Sequence, residues 1–209
     1  MSEVLCDFPK PHPVQLRGSR VAAFLLRCAG WRIFFEGLPA RQGVLVVYPH
    51  TSNWDFIVLM LAKWSVGLQA SFWAKDTLFR IPLFGRWLSW IGGEPVLRHA
   101  PGGVVRQAVE VIQRKKDRGQ YFWLGLSPEG TRKATPGWRS GFYQTAVSAG
   151  VPLGVFRLDF ARKEIDARSF VKLCGDLEVD FGRIRRIMAG VQGCIPGHAA
   201  PIQLIERRK

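Results

Sequence analysis

Val44-Leu45-Val46-Val47-Tyr48-Pro49-His50-Thr51-Ser52-Asn53-Trp54-Asp55 is the stretch on which the fold turns. Its first five residues are apolar and rich in β-branched side chains, with no polar alternation, which is the pattern of a strand buried on both faces. Pro49 and His50 end the strand. Ser52 or Asn53 is placed to cap a helix that runs from Trp54 to about Val66.

The alternation continues toward the C-terminus. Ala70 to Ala74 reads as a second strand, Leu78 to Ile91 as a helix in spite of Pro82 and Gly85, and Pro95 to Leu97 as a brief strand. Residues 103–116 carry Val104, Ala108, Val111 and Ile112 at helical spacing. Tyr121 to Leu126 is another buried strand, Ser127 to Arg139 a polar loop, Ser140 to Ala149 a helix and Val151 to Phe156 a strand. One or two more strands fall across 158–174, and a basic helix covers about 178–190. This order predicts an α/β fold with a largely parallel central sheet flanked by helices. Reactive groups in such folds gather beyond the carboxyl ends of strands, and both His50 and Glu129 follow predicted strands.

Toward the N-terminus, Ser19 is placed to cap a helix on which Val21, Phe24, Leu25, Cys28 and Ala29 recur at helical spacing, interleaved with Arg17, Arg20, Arg27 and Arg32. Such an amphipathic segment suits either a lipid interface or packing on the sheet. Residues 1–18, with Pro9, Pro11 and Pro13, are expected to be irregular, and 19–209 to form a single domain.

The chain has 209 residues, 47% hydrophobic and 22% charged, which excludes a wholly disordered protein. Its 30 Lys+Arg against 16 Asp+Glu give a net charge of +14, so its surface attracts nucleic acid, an anionic membrane or a phosphate-bearing substrate. Eight Trp and fourteen Phe favour the membrane, since aromatic side chains suit the water–lipid interface, although any single Trp is more often core. A nucleic-acid-binding module is the rival reading, but no binding signature accompanies the charge, and no nucleic acid is expected as partner. Cys6, Cys28, Cys174 and Cys194 have no C-x-x-C spacing and no paired histidines, so neither a metal nor a cofactor is expected. Their low density points to reduced, partly buried thiols. With no secretory-like apolar stretch near the start and no run of about eighteen apolar residues, the expected location is peripheral, on the cytoplasmic face of a membrane.

Three local features carry chemistry. His50 and Asp55 form H-x-x-x-x-D, in which a carboxylate on the first helical turn is in reach of one imidazole nitrogen, making the other a stronger base. Ser127-Pro128-Glu129-Gly130-Thr131-Arg132 bends after a strand and offers backbone N–H groups and a guanidinium, although a turn with a solvated salt bridge has the same composition. The stretch from Lys75 to Arg98, with Arg80 and Arg86, is either a phosphate site or a solvated basic face.

In this order the motifs resemble those of the glycerolipid acyltransferases, the lysophosphatidic acid acyltransferase-like enzymes. His50 and Asp55 match the first motif, Gly92 to Arg98 approximates the second, Pro128 to Arg132 matches P-E-G-T-R residue for residue, and Val151-Pro152-Leu153 matches the fourth. Glu94 and Pro95 stand where the family commonly has apolar residues. The resemblance covers about residues 20–175.

It implies transfer of a fatty acyl group from acyl-CoA or an acyl carrier protein to the hydroxyl of a lyso-lipid acceptor such as 1-acyl-glycerol-3-phosphate. His50 would be the base and Asp55 its partner. Lys75, Arg98, Glu129, Gly130, Thr131 and Arg132 would bind substrate, with Arg98 and Arg132 on the acceptor phosphate, Glu129 ordering the loop and N–H groups near Gly130 on the oxyanion. Two variants of this reading are a phosphate-free acceptor such as a lyso-aminolipid, and a silent lipid-binding relative.

Overall fold

The computed structural model describes residues 7–8, 17–96 and 103–205. The expectation that 1–18 is irregular therefore falls mostly outside the described residues. Ser19 caps α1 (Arg20–Cys28), its hydroxyl accepting from Ala22 N. Ala22 and Leu26 of α1 are buried while Val21, Phe24 and Leu25 are exposed, so the apolar row read from the sequence is not packed on the sheet, as one of its two readings required. After α1 comes β1 (Arg32–Phe34), a strand in a segment to which the sequence assigned none.

The next elements follow the expected alternation. They are β2 (Gln42–Tyr48), α2 (Asn53–Val66) and β3 (Ala70–Lys75). Then come α3 (Asp76–Phe79), α4 (Phe84–Trp90), the edge strand β4 (Gly93–Val96) and α5 (Gly103–Asp117). The chain continues through β5 (Phe122–Leu126), α6 (Gly141–Ala149), β6 (Leu153–Asp159), β7 (Glu164–Asp166), β8 (Phe170–Val171) and α7 (Leu177–Ile187).

The helix expected over 78–91 is two short helices. Proline has no N–H to donate and disfavours helical geometry in the residue before it, so Pro82 breaks the run. Leu83 then takes φ 64° and ψ −51°, with Phe84 N donating to Pro82 O at 2.7 Å, a γ-turn that throws the chain into α4.

The sheet runs β1-β7-β6-β2-β5-β3-β4, with β8 beside β6. The pairs β1–β7, β2–β5, β2–β6, β3–β5 and β3–β4 are parallel, and among the described residues only β6–β7 and β6–β8 are antiparallel. The expected α/β architecture is thus present. Central β2 is covered on both faces, as its unbroken apolar run requires. Val44, Val46 and Tyr48 pack with Ala108 of α5, Phe142 and Ala146 of α6, and Ile184 of α7. Leu45 and Val47 face the opposite layer, which holds α1 and α2 through Leu26, Val58 and Ala62.

Tryptophan divides between core and surface: Trp31, Trp123 and Trp138 are buried, and Trp54, Trp87 and Trp90 are exposed. The described cysteines are free, and Cys28 and Cys174 are exposed rather than partly buried, because the helix end and turn that carry them face solvent. Among the described residues no helix is long and apolar enough to cross a membrane.

Candidate active site

The H-x-x-x-x-D spacing has a local cause. Ser52 is the N-cap of α2 and Asp55 its third residue, and the two form a capping box. Asp55 Oδ2 accepts from Ser52 N at 2.8 Å and Thr51 N at 2.6 Å, so the carboxylate is turned back toward the end of β2. His50 stands there, with Nδ1 3.1 Å from the same oxygen. A carboxylate accepts and does not donate, so this contact assigns a proton to Nδ1, and in the neutral imidazole the lone pair is then on Nε2. Asp55 is fully buried, and its Oδ1 has no partner among the described residues.

A second carboxylate holds the histidine from the other side. Glu129 is 1% exposed; its Oε2 accepts from His50 N at 2.6 Å and its Oε1 from Ala200 N at 2.9 Å. Burial pushes its carboxyl above the usual range, against the lowering effect of those two amide bonds and of His50. Glu129 therefore joins three segments: the end of β2, the P-E-G-T-R loop and the C-terminal segment. Beneath it, Tyr48 Oη donates to Ala200 O at 2.8 Å, and burial, with the charge of Glu129, pushes this phenol up to about 12.

The P-E-G-T-R loop turns at Gly130, whose φ of 66° lies in the left-handed region that glycine adopts without strain. Gly130 N donates to Ser127 O at 3.2 Å, so this N–H closes the turn. Thr131 Oγ1 accepts from Lys133 N at 3.2 Å. Arg132 is exposed and lines the same cavity as His50 and Ser127, whose buried Oγ has no partner among the described residues. Lys75 closes β3, and Arg98 lies outside the described residues. The fold thus brings together His50, Asp55, Glu129 and Arg132, with Gly130 and Thr131 in the connecting turn.

The cavity, about 630 Å³, lies between α2 and the sheet. Leu45, Val47, Phe56, Leu59, Met60, Phe72, Trp87 and Phe156 line it, with His50, Ser127 and Arg132 contributing its polar groups. Lys63, in the last turn of α2, also borders it; its Nζ donates to Ile91 O at 2.7 Å, and burial pushes its ammonium down to about 8. About 15 Å of helix separates Asn53 from Lys63. Such a space suits a long apolar ligand with one polar end.

Sequence reasoning missed the C-terminal strap. Ile195 N donates to Thr51 Oγ1 at 3.1 Å, Ala200 N to Glu129, and Trp138 N to Gln203 O at 2.7 Å. These contacts run largely through backbone groups, which carry no sequence signal. Among the described residues no group of three or more His, Cys, Asp or Glu is arranged to hold a metal ion.

A histidine–aspartate pair stands at the carboxyl edge of a mostly parallel sheet and opens on an apolar cavity, an arrangement that an α/β protein can use to move a proton. A model of the Acyltransferase family matches residues 32–155, and the chain belongs to that family, as its motifs led us to expect. The fold is similar to the crystal structure of the 1-acyl-sn-glycerophosphate (LPA) acyltransferase PlsC from Thermotoga maritima. The TM-score is 0.51, with 21% identity over 80% of this chain and 73% of that chain. Comparison with curated proteins gave no significant match.

Proposed function

We propose that this acyltransferase moves a fatty acyl group from a thioester, acyl-CoA or acyl carrier protein, to the hydroxyl of a lysophosphatidic acid-like acceptor. The observation that carries the reading is His50, held by Asp55 through Nδ1 at 3.1 Å and facing an apolar cavity with Arg132 on its wall. The acceptor oxygen attacks the thioester carbonyl while its proton passes to His50 Nε2. The tetrahedral adduct then expels the thiolate, which takes that proton from His50. An ester forms, a thioester breaks and a free thiol leaves, with no acyl-enzyme. Asp55 keeps the tautomer and stabilises the imidazolium as it forms.

Glu129 acts in this reading as a positioning residue, since its oxygens are occupied by the amides of His50 and Ala200. Arg132 takes the acceptor phosphate; Arg98, Lys75 and Thr131 join it on the resemblance alone. Gly130 N closes its own turn, so the oxyanion donor is a neighbouring group. An acceptor that lives in lipid supports, within this reading, a place at the periphery of an anionic membrane, and the free thiols of Cys28, Cys174 and Cys194 support its cytoplasmic face.

The test is an assay of purified protein with acyl-CoA and acyl carrier protein against a panel of lyso-lipids, with and without phosphate, read by mass spectrometry. Arg132→Lys is expected to raise the acceptor KM at least about tenfold before it alters the donor KM, because lysine copies a two-point guanidinium contact poorly. Faster use of a phosphate-free lyso-lipid than of lysophosphatidic acid would end the phosphate-acceptor reading and leave acyl transfer to another lipid.

A further inference from the structure

We infer that the α3–α4 corner, Arg80 to Trp90, is the surface by which this protein docks on an anionic lipid bilayer, delivering lipid directly into the cavity. Among the described residues, ten of the fourteen exposed large hydrophobic side chains lie on α1, α2 and this corner, all on one side of the sheet. The corner itself holds the densest group. Ile81, Leu83, Phe84, Trp87 and Trp90 are all exposed, Leu83 at 79% and Trp90 at 75%. Scattered exposed apolar residues need no explanation, but five within ten positions do.

Backbone strain marks the same place. Leu83 sits at φ 64° in a γ-turn, a conformation that leucine rarely adopts, and its side chain faces solvent. The turn holds the aliphatic tip of the corner away from the body of the protein. Arg86 and Arg80 flank the tip and are exposed, Arg80 meeting Asp76 with Nη2 3.3 Å from Oδ2, so apolar side chains point outward beside basic ones. That is the arrangement that enters the headgroup region of a negatively charged bilayer, and the net charge of +14 acts in the same direction.

Continuity with the cavity selects the bilayer as occupant. Phe84 and Trp87 are exposed on one side and line the cavity on the other, and their rings are 5.5 Å apart. With the corner seated in lipid, an acyl chain reaches the cavity past these two rings without crossing water. The inference rests on the acyltransferase reading for the identity of the cargo, but the docking itself is measured without turnover.

The experiment compares sedimentation of the wild type and of Ile81→Ser/Leu83→Asn with vesicles of phosphatidylglycerol and phosphatidylcholine, and with phosphatidylcholine alone. Asparagine tolerates φ above zero, so the turn is kept. Wild type is expected to prefer the anionic vesicles, and the double variant to bind them at least about tenfold more weakly, since two aliphatic side chains lose their transfer into lipid. Turnover of short-chain substrates below their aggregation limit is expected to be unchanged, because neither residue lines the cavity. As a check independent of that variant's folding, lipids brominated on the acyl chain should quench wild-type tryptophan fluorescence, and less so in Trp90→Phe. Equal vesicle binding by variant and wild type, or a wild-type dimer without lipid that the substitutions dissociate, would overturn the docking surface. Failure of acyl transfer with vesicle binding intact would overturn the enzymatic reading and leave the surface standing.

Discussion

Asp55 serves two structures with one oxygen: it caps α2 through the Thr51 and Ser52 amides and orients His50 through Nδ1. Hydrogen bonds to a charged group contribute about 1.5–3 kcal/mol each, so the pair is held firmly before any substrate arrives. Asp55→Asn keeps an acceptor for the cap but presents no charge to the imidazole. Its kcat is expected to fall at least about a hundredfold with little change in donor KM, and His50→Ala is expected to match it. Rates near wild type in either folded variant would rule out the general-base mechanism. Thr51 binds the strap at this same scale, through Ile195 N. Thr51→Val leaves that N–H unpaired, at a cost of about 1–3 kcal/mol. For a chain of this length the loss corresponds to a Tm lower by about 2–4 °C per kcal/mol, readable by calorimetry.

At the scale of elements, α2 sets the site. Its first turn carries Asp55 and its last turn Lys63, and the cavity lies along its inner side. The depressed ammonium of Lys63 gives a pH signature. A lysine whose folded pKa of about 8 lies below the ordinary 10.5 binds fewer protons in the folded than in the unfolded protein between those values. Stability contributed through Lys63 is therefore lost as pH falls through that window and gained as it rises. The raised Tyr48 phenol opposes this above its ordinary value of 10.0, so the clean window is pH 8 to 10. Lys63→Met is expected to flatten the rise of denaturation midpoint with pH there. An unchanged slope would show that Lys63 is not responsible. The broken 78–91 helix belongs to the same scale: Pro82 marked the break in the sequence, but only the packing of Gly85 against the Phe79 backbone directs α4 over the cavity.

For the whole molecule, the net charge of +14 acts over distance. Both acyl-CoA and a phosphate-bearing acceptor are anions, and screening shortens the reach of exposed charge from about 30 Å at 0.01 M salt to about 8 Å at 0.15 M. The kcat/KM for acyl-CoA is expected to fall several-fold across that range while kcat stays constant, because steering affects encounter and not the bound complex. A salt-independent kcat/KM would mean that the basic surface serves the membrane alone.

The sequence by itself determined the sheet-and-helix alternation, because Val44 to Tyr48 and Phe122 to Leu126 are apolar without interruption and Ser19 and Ser52 stand where helices are capped. It also determined the His50–Asp55 pair, since a capping box fixes where an N3 carboxylate points. Tertiary structure alone decided the rest. Glu129 carries the same letters whether it faces solvent or, as here, takes the amides of His50 and Ala200; only chain segments 71 residues apart in sequence, brought together by the sheet, make the second outcome. The strap over 193–205 holds Thr51 and Glu129 through its backbone N–H groups, which every residue but proline possesses and no pattern reveals. The face that α1 buries was likewise set by its neighbour α2, because a helix with apolar residues on more than one side keeps no preference until a partner covers one of them.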